Sequence, residues 1–211
     1  MGGTFVVKTL SNMGLKKKCP GEPFVWVYPH SGMLIQHREE FLNDLILTPG
    51  TSLVDVGANV GAWAIRASQF YKQVYAFEPN RTFFDGLQKN IRLNHCNNSK
   101  LFNTALGDTE GITERAILTH GRKGKESVPT KRLDSFQLKA SILKIDVEGT
   151  GDRVLKGALE TIATNHPKII LETHSNEERL EGGIIQKLLP DYTWKTIFRE
   201  YPGNKWPPQL F

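Results

Sequence analysis

The stretch Thr51-Ser52-Leu53-Val54-Asp55-Val56-Gly57-Ala58-Asn59-Val60-Gly61, followed one helix's length later by Phe77-Glu78-Pro79, decides how this chain is read. Residues 51–56 predict a buried parallel strand, 57–61 a tight turn, and 60–71 an amphipathic helix. Two glycines let a ligand's polar atoms come close to the backbone and leave the amides at the helix start pointing at it. A second strand over 73–77 ends at Glu78, where a carboxylate accepts hydrogen bonds from both hydroxyls of a ribose, with Pro79 beside it. Such a pocket suits an adenosine.

The glycine spacing selects among adenosine compounds. Gly57 and Gly61 enclose only Ala58, Asn59 and Val60, whereas a dinucleotide site uses G-x-G-x-x-G with a central glycine making room for pyrophosphate. Asn59 puts a side chain where that pyrophosphate would press. Asp55, two residues before the first glycine, repels phosphate and favours an ammonium or sulfonium. S-adenosylmethionine carries both cations and no phosphate, so it is the cofactor these residues imply.

Outward from this segment, strands and helices alternate. Strands are expected at 100–104, 141–145 and 169–171. Helices are expected at 81–93, with Phe83, Phe84, Leu87 and Ile91 facing inward, and at 152–163, with Val154, Leu155, Ala158, Leu159 and Ile162 buried. The polar stretch 109–136 predicts a hairpin. Residues 192–199 and 205–211 around Pro202-Gly203-Asn204 predict a closing antiparallel pair. Ahead of the first core strand, 24–28 and 33–35 flank Pro29-His30-Ser31-Gly32 as a hairpin, and 39–47 reads as a short helix before Thr48-Pro49-Gly50 breaks the chain. The expectation is one domain over 1–211, with 1–50 as a cap and 51–211 as an α/β, Rossmann-like core whose mostly parallel sheet carries helices on both faces.

In open α/β sheets, ligands sit outside the carboxyl ends of the strands. Asp55, Glu78, Asp108, Asp146, Glu148, Glu172 and His174 all fall at or just past expected strand ends. The loop Ala105-Leu106-Gly107-Asp108 is placed to meet an adenine, and Gly57, Asn59 and Gly61 to bed the methionine and ribose. Asp146 and Glu148 are close enough to share a proton, which raises one pKa and yields a base suited to an alcohol. They could also hold a divalent cation with Glu172. Equally, Asp146 could cap the next helix and bind cofactor while Glu148 bonds the backbone. His174 is the histidine best placed to take a hydroxyl proton, and His30 and His37 fall in the cap.

The chain has 211 residues, 39% hydrophobic and 23% charged, with a formal charge of +5. That is the composition of a soluble globular protein. No membrane span or signal-peptide core interrupts it, and the cytoplasm is the expected location. Cys19 and Cys96 read as free thiols without metal-ligand spacing, and no metal site is assigned. Lysines 16–18 and the basic 121–132 stretch suit either a solubilising surface or an anionic partner such as RNA. Oligomeric state leaves no trace in the sequence.

Three segments, Val54-Asp55-Val56-Gly57-Ala58-Asn59-Val60-Gly61, Ala76-Phe77-Glu78-Pro79-Asn80 and Leu143-Lys144-Ile145-Asp146-Val147-Glu148-Gly149, resemble in order and spacing the FkbM family of S-adenosylmethionine-dependent methyltransferases. The likeness extends through Ala105-Leu106-Gly107-Asp108, Arg132-Leu133-Asp134, Val154-Leu155-Lys156-Gly157-Ala158 and Ile170-Leu171-Glu172. It implies the class I methyltransferase fold, a seven-stranded sheet with an antiparallel last strand, and methylation of a hydroxyl oxygen on a small molecule or sugar. Gly151 departs from the family, which often has Glu there. Two other functions compete. RNA methylation draws on the basic stretch, although no Asn/Asp-Pro-Pro-aromatic motif follows the fourth strand. The other is a protein that binds S-adenosylmethionine without turning it over.

Overall fold

A computed structural model describes residues 17–18, 25–26, 50–119, 122–147, 149–172 and 183–194. Its axis is β3, Gly50–Val56, whose last five residues are buried. A strand paired on both edges and covered on both faces has no side for water, which is why Leu53, Val54, Asp55 and Val56 do not alternate in polarity as an exposed strand would. In parallel pairing, β4 (Tyr71–Phe77) lies on one edge of β3 and β9 (Ile142–Ile145) on the other. Beyond them lie β5 (Ser99–Phe102) and β10 (Lys168–Leu171), giving the parallel order β10-β9-β3-β4-β5.

Helices cover both faces. On one, α1 (Ala62–Ala67) and α2 (Arg81–Leu93) bury Trp63, Ile65, Phe84, Leu87 and Ile91 against Leu53, Val74 and Ile142. On the other, α3 (Gly151–Lys156), α4 (Leu159–Asn165) and α5 (Ile184–Leu188) bury Val154, Leu155, Ile162 and Ile185 against Val54, Val56, Leu143 and Ile145. The alternation of Leu53 and Val54 between these two cores is the strand's two-residue period at work.

A second, smaller sheet in the order β6-β8-β7 holds the expected hairpin, β7 (Gly111–Thr119) with β8 (Arg122–Lys131), and β6 (Ala105–Leu106) runs parallel to β8. A short 3-10 turn, Leu133–Phe136, leads back to the main sheet. Among the described residues no helix is long and apolar enough to cross a membrane.

Several expectations change, among them the burial of Leu159, which is exposed at the start of its helix. The first helix spans six residues, not twelve, and Tyr71 already opens β4. The turn between them is fixed by Asn98, whose side-chain amide donates to the carbonyls of Ser68 and Tyr71. The expected helix over 152–163 is two helices, α3 and α4. At the break, a Cβ on Gly157 would lie 1.9 Å from the Gly107 carbonyl oxygen, and the Gly157 carbonyl accepts the Asp134 amide. Gly151 opens α3, so the departure at that position does not prevent a helix. In the N-terminal region, β2 (Val25–Trp26) pairs antiparallel with β1 (Lys17–Lys18), ahead of it in sequence. The expected partner at 33–35 and the helix at 39–47 lie outside the described residues, as does most of the closing pair. Of that pair, only 192–194 are described, and they are irregular.

Candidate functional site

The carboxyl ends of β3, β4 and β9 meet at the turn 57–61. Gly57 has φ +78°, and a Cβ there would sit 1.9 Å from the carbonyl oxygen of Asp146. This glycine is therefore required first by protein packing, because the turn lies directly on the backbone that follows β9. Gly61, φ +94°, faces the Leu87 side chain of α2, whose Cδ1 would lie 2.6 Å from an added Cβ, so here the backbone conformation is the stronger requirement for glycine. Asn59 occupies the left-handed region at φ +53°, which asparagine tolerates better than most residues. The amides of Gly57 and Ala58 both donate to the Phe77 carbonyl, and Asn90 of α2 donates to the Val60 carbonyl at 2.9 Å.

Glu78 is 5% exposed and braces this turn. One carboxylate oxygen accepts the Asn59 amide at 2.8 Å, and the other accepts the Asn80 amide at 2.7 Å. Asn80 in turn caps α2 by accepting the Phe83 amide. The Asn103 side chain donates to the carbonyls of Glu78 and Pro79, tying the chain that leads to Ala105 to the same corner. Of the loop expected at an adenine, Leu106 turns its side chain into the core beside Phe77 and Leu133, while Ala105 and Asp108 are partly exposed. Phe77, Phe102 and Phe136 pack together below, with ring centroids 4.6 to 5.1 Å apart.

Asp55 is fully buried, and the ammonium it meets in this structure is that of Lys144, 3.0 Å away on β9. The two stand opposite each other in register, on the face covered by α1. Lys144 also reaches the Gly57 carbonyl at 3.3 Å and Asp146 at 3.5 Å, and the Trp63 ring lies 6.0 Å from its ammonium. Burial pushes the Asp55 carboxyl above its ordinary range, and the Lys144 charge opposes that shift without cancelling it. For Lys144, burial alone would favour the neutral amine. The carboxylates of Asp55, Asp146 and Glu172 outweigh it and hold the ammonium well above the ordinary lysine value.

Asp55, Gly57, Asn59, Gly61, Glu78 and Asp146 thus form one connected corner. Glu148 and His174 lie outside the described residues. Lys144 is the member that sequence reading missed. Its signal is a lysine between Leu143 and Ile145 in a strand read as buried, a placement that requires a buried partner. Among the described residues, no group of three or more His, Cys, Asp or Glu is arranged to hold a metal ion. A cleft of about 480 Å³ opens at the opposite edge of the sheet, beside Thr51, Lys139, Ser141, His166 and Lys168.

The residues present fit an adenosine-bearing cofactor. The Asn59 side-chain oxygen is buried and meets no donor among the described residues, as expected of an acceptor kept for a ligand. An open parallel sheet with a glycine turn after its central strand and acidic residues at neighbouring strand ends is the architecture of doubly wound α/β proteins, whose ligands sit outside the carboxyl ends of the strands. The FkbM methyltransferase domain matches residues 55–196, and the chain belongs to that family. It is similar to the methyltransferase FkbM from Methylobacillus flagellatus KT, with a TM-score of 0.58 and 20% identity over 76% of this chain and 43% of that one. A further likeness is to M. jannaschii TYW2 in complex with AdoMet, with a TM-score of 0.55 and 14% identity over 98% and 85% of the two chains. Another is to Sp1610 of Streptococcus pneumoniae, a candidate tRNA methyltransferase, with a TM-score of 0.55 and 17% identity over 79% and 65%. These likenesses establish the Rossmann-like methyltransferase fold. The chain spans 43% of the length of the Methylobacillus protein. No curated protein matches the sequence.

Proposed function

We propose that this chain is an S-adenosylmethionine-dependent methyltransferase acting on a hydroxyl oxygen of a small molecule or sugar. The observation that carries the reading is the corner itself. Glu78 holds the Asn59 amide while the Asn59 side-chain oxygen waits for a donor, in a chain of the FkbM family. Glu78, Asn59 and the 57–61 backbone would hold the ribose and methionine, and Pro79, Ala105, Leu106 and Asp108 would border the adenine, Leu106 through its backbone. When bound, S-adenosylmethionine supplies a methyl group on a positively charged sulfur. The chain's own task is then to align an oxygen nucleophile with that methyl and to take its proton. Asp146, 19% exposed at the end of β9, is the described acid nearest that role, with Glu148 and His174 the other candidates. A single cytoplasmic domain and a sheet completed to seven strands by an antiparallel pair after 192 belong to the same reading.

Calorimetric titration with S-adenosylhomocysteine tests it. Wild-type protein binds in the micromolar range, and Glu78→Ala weakens binding about a hundredfold or more, because the turn loses its brace and the ribose its acceptor. Equal affinity in the two proteins refutes the ribose assignment. A second reading, RNA methylation, is favoured by the β7–β8 hairpin, where Arg122, Lys123, Lys125 and Lys131 share one strand. Retention on RNA at low salt that falls steeply as salt rises supports it, and no retention at low salt removes it.

A further inference from the structure

We infer that Lys144 is the positioning residue of this site: its ammonium, held by Asp55 and by the Gly57 carbonyl, fixes the direction in which the Asp146 carboxylate faces the cofactor. The inference rests on the cofactor reading above and assigns Lys144 a role exercised through Asp146. An ammonium has three donors and no acceptor. Here three acceptors surround it, each from a different segment: Asp55 at 3.0 Å from β3, Gly57 at 3.3 Å from the turn, and Asp146 at 3.5 Å from the residue after β9. The Trp63 ring closes the space from α1, and Glu172 after β10 adds its charge to the same ammonium.

Stability alone does not account for this arrangement. A buried ion pair recovers its desolvation cost only partly, and apolar residues of similar volume in its place are commonly neutral or stabilising. What the pair supplies is direction. Asp55 is fully buried within a strand paired on both edges, so it cannot move. Lys144 passes that fixed point to Asp146, which retains exposure toward the open end of the sheet. The Gly57 carbonyl ties the turn to the same reference, so the turn and the acid keep their spacing before a ligand arrives.

The test compares wild type with the paired variant Asp55→Asn/Lys144→Met, which removes both charges together and leaves no buried ion uncompensated. Each protein is melted, titrated with S-adenosylmethionine and crystallised without it. The expected result is a split. The melting temperature of the paired variant stays close to wild type, affinity falls about tenfold or more, and the Asp146 carboxylate turns away from its wild-type direction. Wild-type affinity in the paired variant, or an Asp146 carboxylate unmoved in its crystals, overturns the inference. Should wild type itself not bind S-adenosylmethionine, the cofactor reading fails, and the direction of Asp146 in the two crystal structures still decides the role of Lys144. If the paired variant does not fold, Lys144→Arg replaces it, which keeps a buried positive charge beside Asp55 and moves only the donors that reach Asp146. A severalfold loss of affinity is then expected with the fold intact, and unchanged affinity overturns the inference.

Discussion

The two edges of the central sheet are built from the same strands and differ in nearly every physical respect. At the carboxyl edge, Asp55 near the end of β3, Asp146 just after β9 and Glu172 just after β10 gather around one buried lysine, overlain by a turn with three left-handed residues, Gly57, Asn59 and Gly61. At the amino edge, β3, β9 and β10 begin beside Thr51, Ser141 and Lys168, with Lys139 and His166 nearby. That cleft has no carboxylate in its lining, and its charged groups are exposed. A cleft is therefore not by itself a site. The acidic edge couples its polar groups to one another through fixed backbone, whereas the basic edge offers long side chains that water can solvate separately.

The sharpest way to break this contrast is Gly57→Ala. The added methyl meets the Asp146 carbonyl in a backbone conformation that alanine resists, so a loss of about 3 kcal/mol or more in chemical denaturation is expected, with cofactor binding abolished. A loss below about 1 kcal/mol would show that the turn is not seated on Asp146.

Next in size is the response to alkali. The folded pKa of Lys144 lies above its unfolded value of 10.5, so its contribution is fully present below pH 10.5 and fades as pH rises through the folded value. Melting temperatures should therefore fall more steeply above that pH in wild type than in Asp55→Asn/Lys144→Met. Parallel curves would contradict the charge assignment.

Smaller still is Asp134→Ala, on the path that α4 takes between the edges. Asp134 accepts the amides of Glu160 and Thr161 and the Thr161 hydroxyl, and so caps a helix whose N-cap residue, Ala158, has no side-chain acceptor. Its loss should cost about 1 to 2 kcal/mol in denaturant melts and leave cofactor affinity unchanged. At the basic edge, Lys168→Ala should change stability by less than about 0.5 kcal/mol and affinity not at all. A clear effect on cofactor binding would mean that the edges communicate.

How much of this was legible in the sequence depends on how far apart the deciding residues lie. The bounds expected for α2 agree with the structure, because the stripe of Phe84, Leu87 and Ile91 and the Asn80 cap are local. The end of α1 was not legible, since Asn98, some thirty residues away, takes the carbonyls that end it. The division between α3 and α4 depends on Gly107 pressing against Gly157, a contact that no periodicity reports. In the site, Asp55, Glu78 and Asp146 were legible as acids at strand ends. The ion pair of Asp55 with Lys144 was not, because parallel neighbours in a sheet are distant in sequence. In sequence the glycines suggest openings for a ligand. They first admit other parts of the protein.

The pairing of β3 also has a consequence for how the chain reaches its native state. Its partner on one side, β4, arrives after a single short helix, whereas β9 joins only after the whole β7–β8 excursion. The contact between Thr51 and Ser141, whose hydroxyls lie 2.6 Å apart, closes a loop of 90 residues. Loop closure over such a span is entropically costly and slow relative to local pairing. The half of the sheet made of β3, β4 and β5 is therefore expected to pair before β9 joins, and the acidic corner, which needs both halves, to follow that joining.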